Sequence, residues 1–224
     1  MVVKVGTSSL VDDTGRLSPV RLAKVVREVA VAAEGRGCVL VSSGAIAAGL
    51  EPMGLVRRPK EIARLQAAAA VGQGRLMAEY ARRFARHGLV AGQVLLTQDD
   101  FVRRRQFVNA QRTFEHLLGS GVIPIVNEND SVGTEEIRFG DNDRLAALVA
   151  VMVGADLLAL LSDVDGIYTR DPSHGGALLV AEITDPMGIR ATGPRSGVGS
   201  GGMASKLEAA SIATAAGVPT VVAN

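Results

Sequence analysis

VVKVGTSSLVDDTGRLSPVRLAKVVREVAVAAEGRGCVLVS, residues 2–42, decides the fold. It opens on Val2–Val5, a short β-branched apolar run that reads as a strand. Ser18-Pro19 then supplies an N-cap followed by proline at the first helical position. Leu22, Val25, Val26 and Val29 recur at the spacing of one helix face. Gly35 and Gly37 end that helix, and Cys38–Val41 is a second strand-like run. Strand, helix, strand is the opening of an α/β sheet whose strands run parallel.

The same alternation continues. Glu61–Arg86 reads as a long helix, with a break expected near Gly72-Gln73-Gly74. Val90–Leu96 is a third strand, and Gln106–Leu118 a helix that Gly119-Ser120-Gly121 terminates. Val122–Val126 is a fourth strand despite Pro124, which cannot donate to a ladder. Thr134–Phe139 reads as a short extended segment and Arg144–Val153 as a helix. Leu157–Leu161 is a fifth strand, apolar throughout and so expected to be buried on both faces. Ile167-Tyr168-Thr169 and Leu178–Ile183 read as smaller edge elements, and Thr184–Gly202 is rich in turn residues. Met203–Ala216 is a helix and Val218–Val222 a final strand. The expected fold is α/β: a mainly parallel open sheet with helices on both faces, a three-layer sandwich.

Composition bounds the function. In 224 residues, 47% are apolar and only 3% aromatic, so Ala, Val, Leu and Ile must build the core. The net charge of +1 provides no electrostatic footprint for nucleic acid. Arg103-Arg104-Arg105 is a local basic run best read as a solvated helix face. The single cysteine, Cys38, excludes an intramolecular disulfide and lies in an apolar run, as a buried core residue would. The chain enters a strand at once, with no leader pattern, and Leu65–Val71 is too short to span a bilayer. A cytoplasmic protein with no membrane partner is expected.

The chemistry gathers where strands end. The runs finish in Gly6-Thr7-Ser8-Ser9, Ser42-Ser43-Gly44, Thr97-Gln98-Asp99, Asn127-Glu128-Asn129-Asp130 and Ser162-Asp163. In open α/β sheets ligands bind outside those carboxyl ends. Lys4 sits inside an apolar run just ahead of Gly6, so it must reach water or meet an anion. Ser42-Ser43-Gly44-Ala45 places hydroxyls and close-approach backbone before a helix start, an anion-binding arrangement. A nucleophilic serine is the weaker reading, because His87, His116 and His174 form no triad pattern. Two acidic-amide clusters, Asn127-Glu128-Asn129-Asp130 and Gly140-Asp141-Asn142-Asp143, suit a ligand bearing both an amine and a carboxylate. Gly199–Lys206 is a glycine-rich loop that enters a helix with a lysine one turn inside, but it lacks the P-loop pattern. Gly197, Gly199 and Gly202 match G-x-G-x-x-G, yet no strand leads into them, which argues against a dinucleotide. Asp163-Val164-Asp165-Gly166 begins like a calcium loop but lacks its closing ligands. No metal-ligand cluster is expected. These features suggest phosphoryl transfer from an ATP-like donor to a small acid, in which positioning and charge stabilisation do most of the work. A carboxylate acceptor is already ionised and needs no general base.

Val3-Lys4-Val5-Gly6-Thr7-Ser8, Ser42–Gly49, Asn127-Glu128-Asn129-Asp130, Gly140-Asp141-Asn142-Asp143 and Gly201–Lys206 together resemble the glutamate 5-kinases, a branch of the amino acid kinase superfamily. The resemblance covers the chain in order. It implies ATP-dependent phosphorylation of the L-glutamate side-chain carboxylate to L-glutamyl 5-phosphate, the first step of proline biosynthesis, with Mg²⁺ arriving on the nucleotide. By the same resemblance, Lys4 and Lys206 would stabilise the transferring phosphoryl group and Asp143 would hold them. Ser43, Asp130 and Asn142 would bind glutamate, supported by Asn127 and Asp141. Ser162, Asp163, Ser200, Gly201, Gly202, Met203, Ala204, Ser205 and the two lysines would contact the nucleotide, Ser162 standing where the family usually has threonine. Residues 1–224 would be one amino acid kinase domain, C-terminally truncated and without the PUA domain many members carry; the stretch Asp185–Ser196 is short for the family. A homo-oligomer, dimer or tetramer, inhibited by proline is also implied; the position of Ser131–Gly140 between the two acidic-amide clusters suggests that stretch as where proline and glutamate would compete.

Alternatives remain open at this point. Acetylglutamate, aspartate, carbamate or uridylate could be the acceptor. A non-catalytic amino-acid sensor, or the kinase half of a bifunctional enzyme, would share the fold.

Overall fold

A computed structural model describes residues 1–132, 142–169, 176–183 and 202–224. Its centre is a sheet of six strands: β1 (Val2–Val5), β2 (Val39–Ser42), β3 (Val90–Leu96), β4 (Val122–Glu128), β5 (Leu158–Leu161) and β6 (Thr220–Ala223). All neighbouring pairs are parallel, in the order β3-β4-β2-β1-β5-β6. The chain therefore builds from β1 towards one flank and later returns to the other. Every strand delivers its carboxyl end to one edge, and β1 lies inside the sheet. The expected parallel α/β sandwich is what forms.

The helices are α1 (Pro19–Ala32), α2 (Ala45–Leu50), α3 (Ile62–Ala85), α4 (Asp99–Val102), α5 (Arg104–Gly119), α6 (Asn142–Met152) and α7 (Met203–Ala215). Ser18 caps α1 as expected, its hydroxyl accepting from the Arg21 N–H at 3.3 Å. Alternation along the strands separates two cores. Val2, Val39, Val41, Val126, Leu158 and Leu160 pack with Phe114 of α5 and the apolar residues of α6 and α7. Val3, Val5, Leu40, Ile123 and Ile125 pack with α1, Ala48 of α2 and Leu76, Tyr80 and Phe84 of α3. Cys38 is buried in this second core, which pushes its thiol up to about 11. Arg83 is buried too, paired with Glu79 and donating to the Pro19 carbonyl at 3.4 Å, which ties α3 to the start of α1. No described helix is long and apolar enough to cross a membrane.

Several expectations shift. The second strand runs one residue later than Cys38–Val41. On β5, Leu158 and Leu160 are buried, but Ala159 and Leu161 are only half-buried. Pro124 is tolerated because the short β4–β2 ladder begins after it, at Leu40 with Ile125. Tyr168 and Leu179 pair as an isolated antiparallel bridge, so the two edge elements meet without becoming strands. The extended segment Thr134–Phe139 and nearly all of the turn-rich stretch Thr184–Gly202 lie outside the described residues.

The break expected at Gly72-Gln73-Gly74 does not occur, and α3 runs through it. Gly72 serves helix packing instead. A Cβ there would fall 1.8 Å from the Ala45 carbonyl oxygen, and one at Gly49 would fall 1.9 Å from that of Ala68. Helices α2 and α3 thus meet backbone to backbone, and this contact fixes where α2 begins. Gly44, just before it, has φ 102°, a left-handed conformation that only glycine adopts without strain. Gly72→Ala is expected to destabilise the fold by roughly 1–3 kcal/mol, the usual cost of overpacking, in urea unfolding. Gly74→Ala, with nothing within 4 Å of its Cβ, should instead be neutral or stabilising. Equal midpoints for the two variants would contradict the packing role.

Candidate functional site

Strand phase decides what Lys4 meets. Lys4 shares the face of Val2, so it rises beneath α6 and α7. There its Nζ lies 2.5 Å from Asp143 Oδ1, in the first turn of α6. Lys206, one turn into α7, brings its Nζ to 2.9 Å from the other oxygen, Oδ2. Ser205 donates to that oxygen at 3.1 Å and also to the Gly202 carbonyl at 2.8 Å. Lys4 is 3% exposed, Lys206 6% and Asp143 0%, so these charges persist only because they compensate one another. Burial works to raise the Asp143 carboxyl, but the ammonium groups of Lys4 and Lys206 outweigh it and hold the carboxyl below its ordinary range. The amino end of α6 favours the same ionised form.

The preceding residue, Asn142, faces a different neighbourhood. Its Nδ2 donates to the Ser43 hydroxyl at 2.9 Å, to Asn127 Oδ1 at 2.9 Å and to the Ser42 carbonyl at 3.1 Å. The same Asn127 oxygen accepts the Glu128 N–H at 2.9 Å, while Asn127 Nδ2 donates to Gln73 Oε1 at 2.9 Å. Ser42 Oγ lies 2.8 Å from the Tyr80 hydroxyl, which holds the end of β2 against α3. Burial pushes the Tyr80 hydroxyl up, and the bond to Ser42 partly offsets this.

Two of the expected groupings are therefore brought together: Lys4, Asp143, Ser205 and Lys206 in one, and Ser43, Asn127 and Asn142 in the other. Asp130 is half-buried at the same end of β4 as Asn127. Gly202, Met203 and Ala204 form the entry to α7, where the Gly202 carbonyl accepts from Lys206 N at 3.4 Å. Ser162 and Asp163 follow β5; the Ser162 hydroxyl donates to Asp163 at 3.3 Å and its N–H to the Ala223 carbonyl at 2.7 Å. Asp141, Ser200 and Gly201 lie outside the described residues. The third strand end is an ordinary turn: Thr97 donates through N–H and hydroxyl to Asp100 Oδ2, at 2.6 and 2.8 Å. Gln73 and Tyr80 were missed as site residues, since on a helix they carry no local signal of a partner far away in sequence.

Residues 1–224 match the family described as "Amino acid kinase family". This chain belongs to that family. Among relatives within it, a protein from Salinispora arenicola named "Glutamate 5-kinase" is 56% identical over all of this chain and 62% of its own length. Another of that name, from Streptomyces coelicolor, is 57% identical over all of this chain and 61% of its own. The chain thus spans about three-fifths of the length of these relatives. A carbamate kinase from Giardia lamblia bound to AMP-PNP superposes with a TM-score of 0.71 at 14% identity, over 100% of this chain and 92% of the other. A UMP kinase from Ureaplasma parvum gives 0.63 at 12% identity, over 100% and 88%. Those two likenesses show the shared fold and nothing finer.

The charge cluster carries a signed pH effect. A carboxyl whose folded value lies below its unfolded value stabilises fully above the ordinary value, 3.8 for Asp143. That stabilisation is lost as pH falls through the depressed folded value. Asp143→Asn should cost about 3–5 kcal/mol near neutral pH, because it strands two buried ammonium groups. Its stability should then decline less steeply than that of the unsubstituted chain as pH drops below 3.8. Urea unfolding across pH checks both; parallel acid limbs would contradict the assignment.

Proposed function

We propose that the chain is the glutamate 5-kinase of its organism, transferring the γ-phosphoryl group of ATP to the side-chain carboxylate of L-glutamate. The product, L-glutamyl 5-phosphate, would begin proline biosynthesis. The observation that carries this reading is the adjacency of Asn142 and Asp143. One residue belongs to an amide and hydroxyl cluster suited to an amino acid, the next to a paired-lysine centre suited to a phosphoryl group. Successive residues at one helix start thus hold the acceptor and the migrating group side by side.

In this reading Ser43 and Asn142 orient the glutamate carboxylates, Asn127 and Asp141 support them, and Asp130 pairs with the ammonium. The acceptor carboxylate attacks the γ-phosphorus, the bond to the β-phosphate bridge breaks, and ADP leaves. Lys4 and Lys206 offset the charge on the equatorial oxygens while Asp143 keeps both ammonium groups in place. A Cβ on Gly6 would stand 3.6 Å from Lys4 Nζ, so glycine leaves room for a phosphoryl oxygen beside that ammonium. Ser162, Asp163, Met203, Ala204 and the loop Ser200–Gly202 take the nucleotide, with Mg²⁺ on its phosphates. Proline would compete with glutamate at the adjoining loop, Ser131–Gly140, mostly outside the described residues. The protein would act as a cytoplasmic homo-oligomer.

The test incubates the chain with Mg-ATP, hydroxylamine and either L-glutamate or N-acetyl-L-glutamate, and measures acyl hydroxamate. Hydroxamate from L-glutamate alone is expected; product only from the acetylated acid would move the protein to a sister activity. Asp130→Ala should weaken glutamate binding by roughly 2–5 kcal/mol, the loss for a desolvated charge partner. An unchanged glutamate KM in that variant would sink its assignment. Proline should raise the apparent glutamate KM, and a flat response would remove the competition.

A further inference from the structure

Gln73 closes the amide network on the side of α3. It lies on α3 and is buried, and its Oε1 accepts from Asn127 Nδ2 at 2.9 Å. Its Nε2 is buried with no hydrogen-bond partner among the described residues. An apolar side chain of the same length would remove that donor but would strand Asn127 Nδ2, from which Gln73 Oε1 now accepts. What the amide supplies, and an apolar group could not, is a fixed acceptor for Asn127.

Two backbone groups show what it does. The Glu128 N–H can only donate, so the Asn127 atom facing it is the oxygen. The Ser42 carbonyl can only accept, so the Asn142 atom facing it is the nitrogen. These anchors agree at the Asn142–Asn127 bond and force Asn127 to present its nitrogen to α3. Gln73 must answer with its oxygen, which turns its own nitrogen away from Asn127. The unpaired donor is thus the forced end of a directional chain that starts at Ser42 and Ser43.

We propose that Gln73 is a positioning residue for the acceptor: it locks the Asn127 amide, and through it Asn142 and Ser43, in the orientation that receives the acceptor's carboxylate. This rests on the acceptor site proposed above. The lysine centre is held by Asp143 rather than Asn142, so the effect falls on the acceptor and leaves the nucleotide alone. Gln73 touches neither substrate and does so through Asn127.

The experiment compares the unsubstituted chain with Gln73→Met and Gln73→Glu. The acceptor used is whichever of L-glutamate and N-acetyl-L-glutamate the unsubstituted chain phosphorylates. Gln73→Met removes the unpaired donor and the accepting oxygen together. Its acceptor KM should rise roughly tenfold, with ATP KM within about twofold, since small misplacements of binding groups are costly. Its Tm should fall modestly, because Asn127 Nδ2 loses its acceptor. Gln73→Glu keeps an accepting oxygen, so its acceptor KM should stay nearer the original even though its Tm falls. A merely structural Gln73 predicts a lower Tm for Gln73→Met with no split between the two KM values. That result, or an unchanged acceptor KM in Gln73→Met, overturns the proposal. A chain that takes only the acetylated acid corrects the substrate and leaves this comparison intact. If neither acid is phosphorylated, the side-chain amide signals of Asn127 and Asn142 in ¹H–¹⁵N spectra decide. Their averaging in Gln73→Met supports the lock, and unchanged dispersion refutes it.

Discussion

The carboxylate of Asp143, gripped by ammonium groups from opposite ends of the chain, is the constraint on which the rest depends. Neither Lys4 nor Lys206 could stay buried without it, and Asp143 could not stay ionised without them. The interaction joins the first strand to the last described helix through α6, so it closes the fold around a buried charge centre. Burial that would be ruinous for one charge becomes tolerable for three with matched geometry.

Everything around that triad serves to aim it. A parallel sheet delivers all its carboxyl ends to one edge, and its two-residue alternation puts Lys4 on the α6 and α7 side. Had Lys4 been one residue earlier or later, it would have entered the apolar layer under α1 and α3, where no described counter-charge waits among Leu22, Val26 and Phe84. On that other layer the glycine contact between α2 and α3 sets the start of α2, and with it Ser43. One layer places charge and the other places the hydroxyl and amides.

Much of this was legible in residue order. A lysine inside Val2–Val5 and polar clusters after each apolar run marked the edge where chemistry would gather. The buried partner of Lys4 could be inferred from the family motifs but not from spacing, because Asp143 is far along the chain and only strand order brings it near. The polar end at Thr97-Gln98-Asp99 looked equivalent to the others and is not, since Asp100 satisfies Thr97 locally. Gly72 read as a helix breaker because propensity sees only the isolated helix, whereas its value lies in a neighbour that sequence does not display. Gln73 escaped notice for the same reason: a glutamine on a helix is ordinary until the strand end it faces is known.

Asn142 and Asp143 are consecutive, so their side chains diverge by the roughly 100° that separates neighbours on a helix of 3.6 residues per turn. The first turn of α6 therefore works as a fixed protractor between two chambers. Any rotation of α6 that adjusts one chamber disturbs the other equally. On the function proposed above, a change of acceptor made by moving this helix would sacrifice the lysine centre. Altered acceptor choice would then have to come from the ends of β2 and β4 and the residues of α3 behind them. The reaction so proposed would be tied to one wall of the site, with chemical taste redrawn on the other.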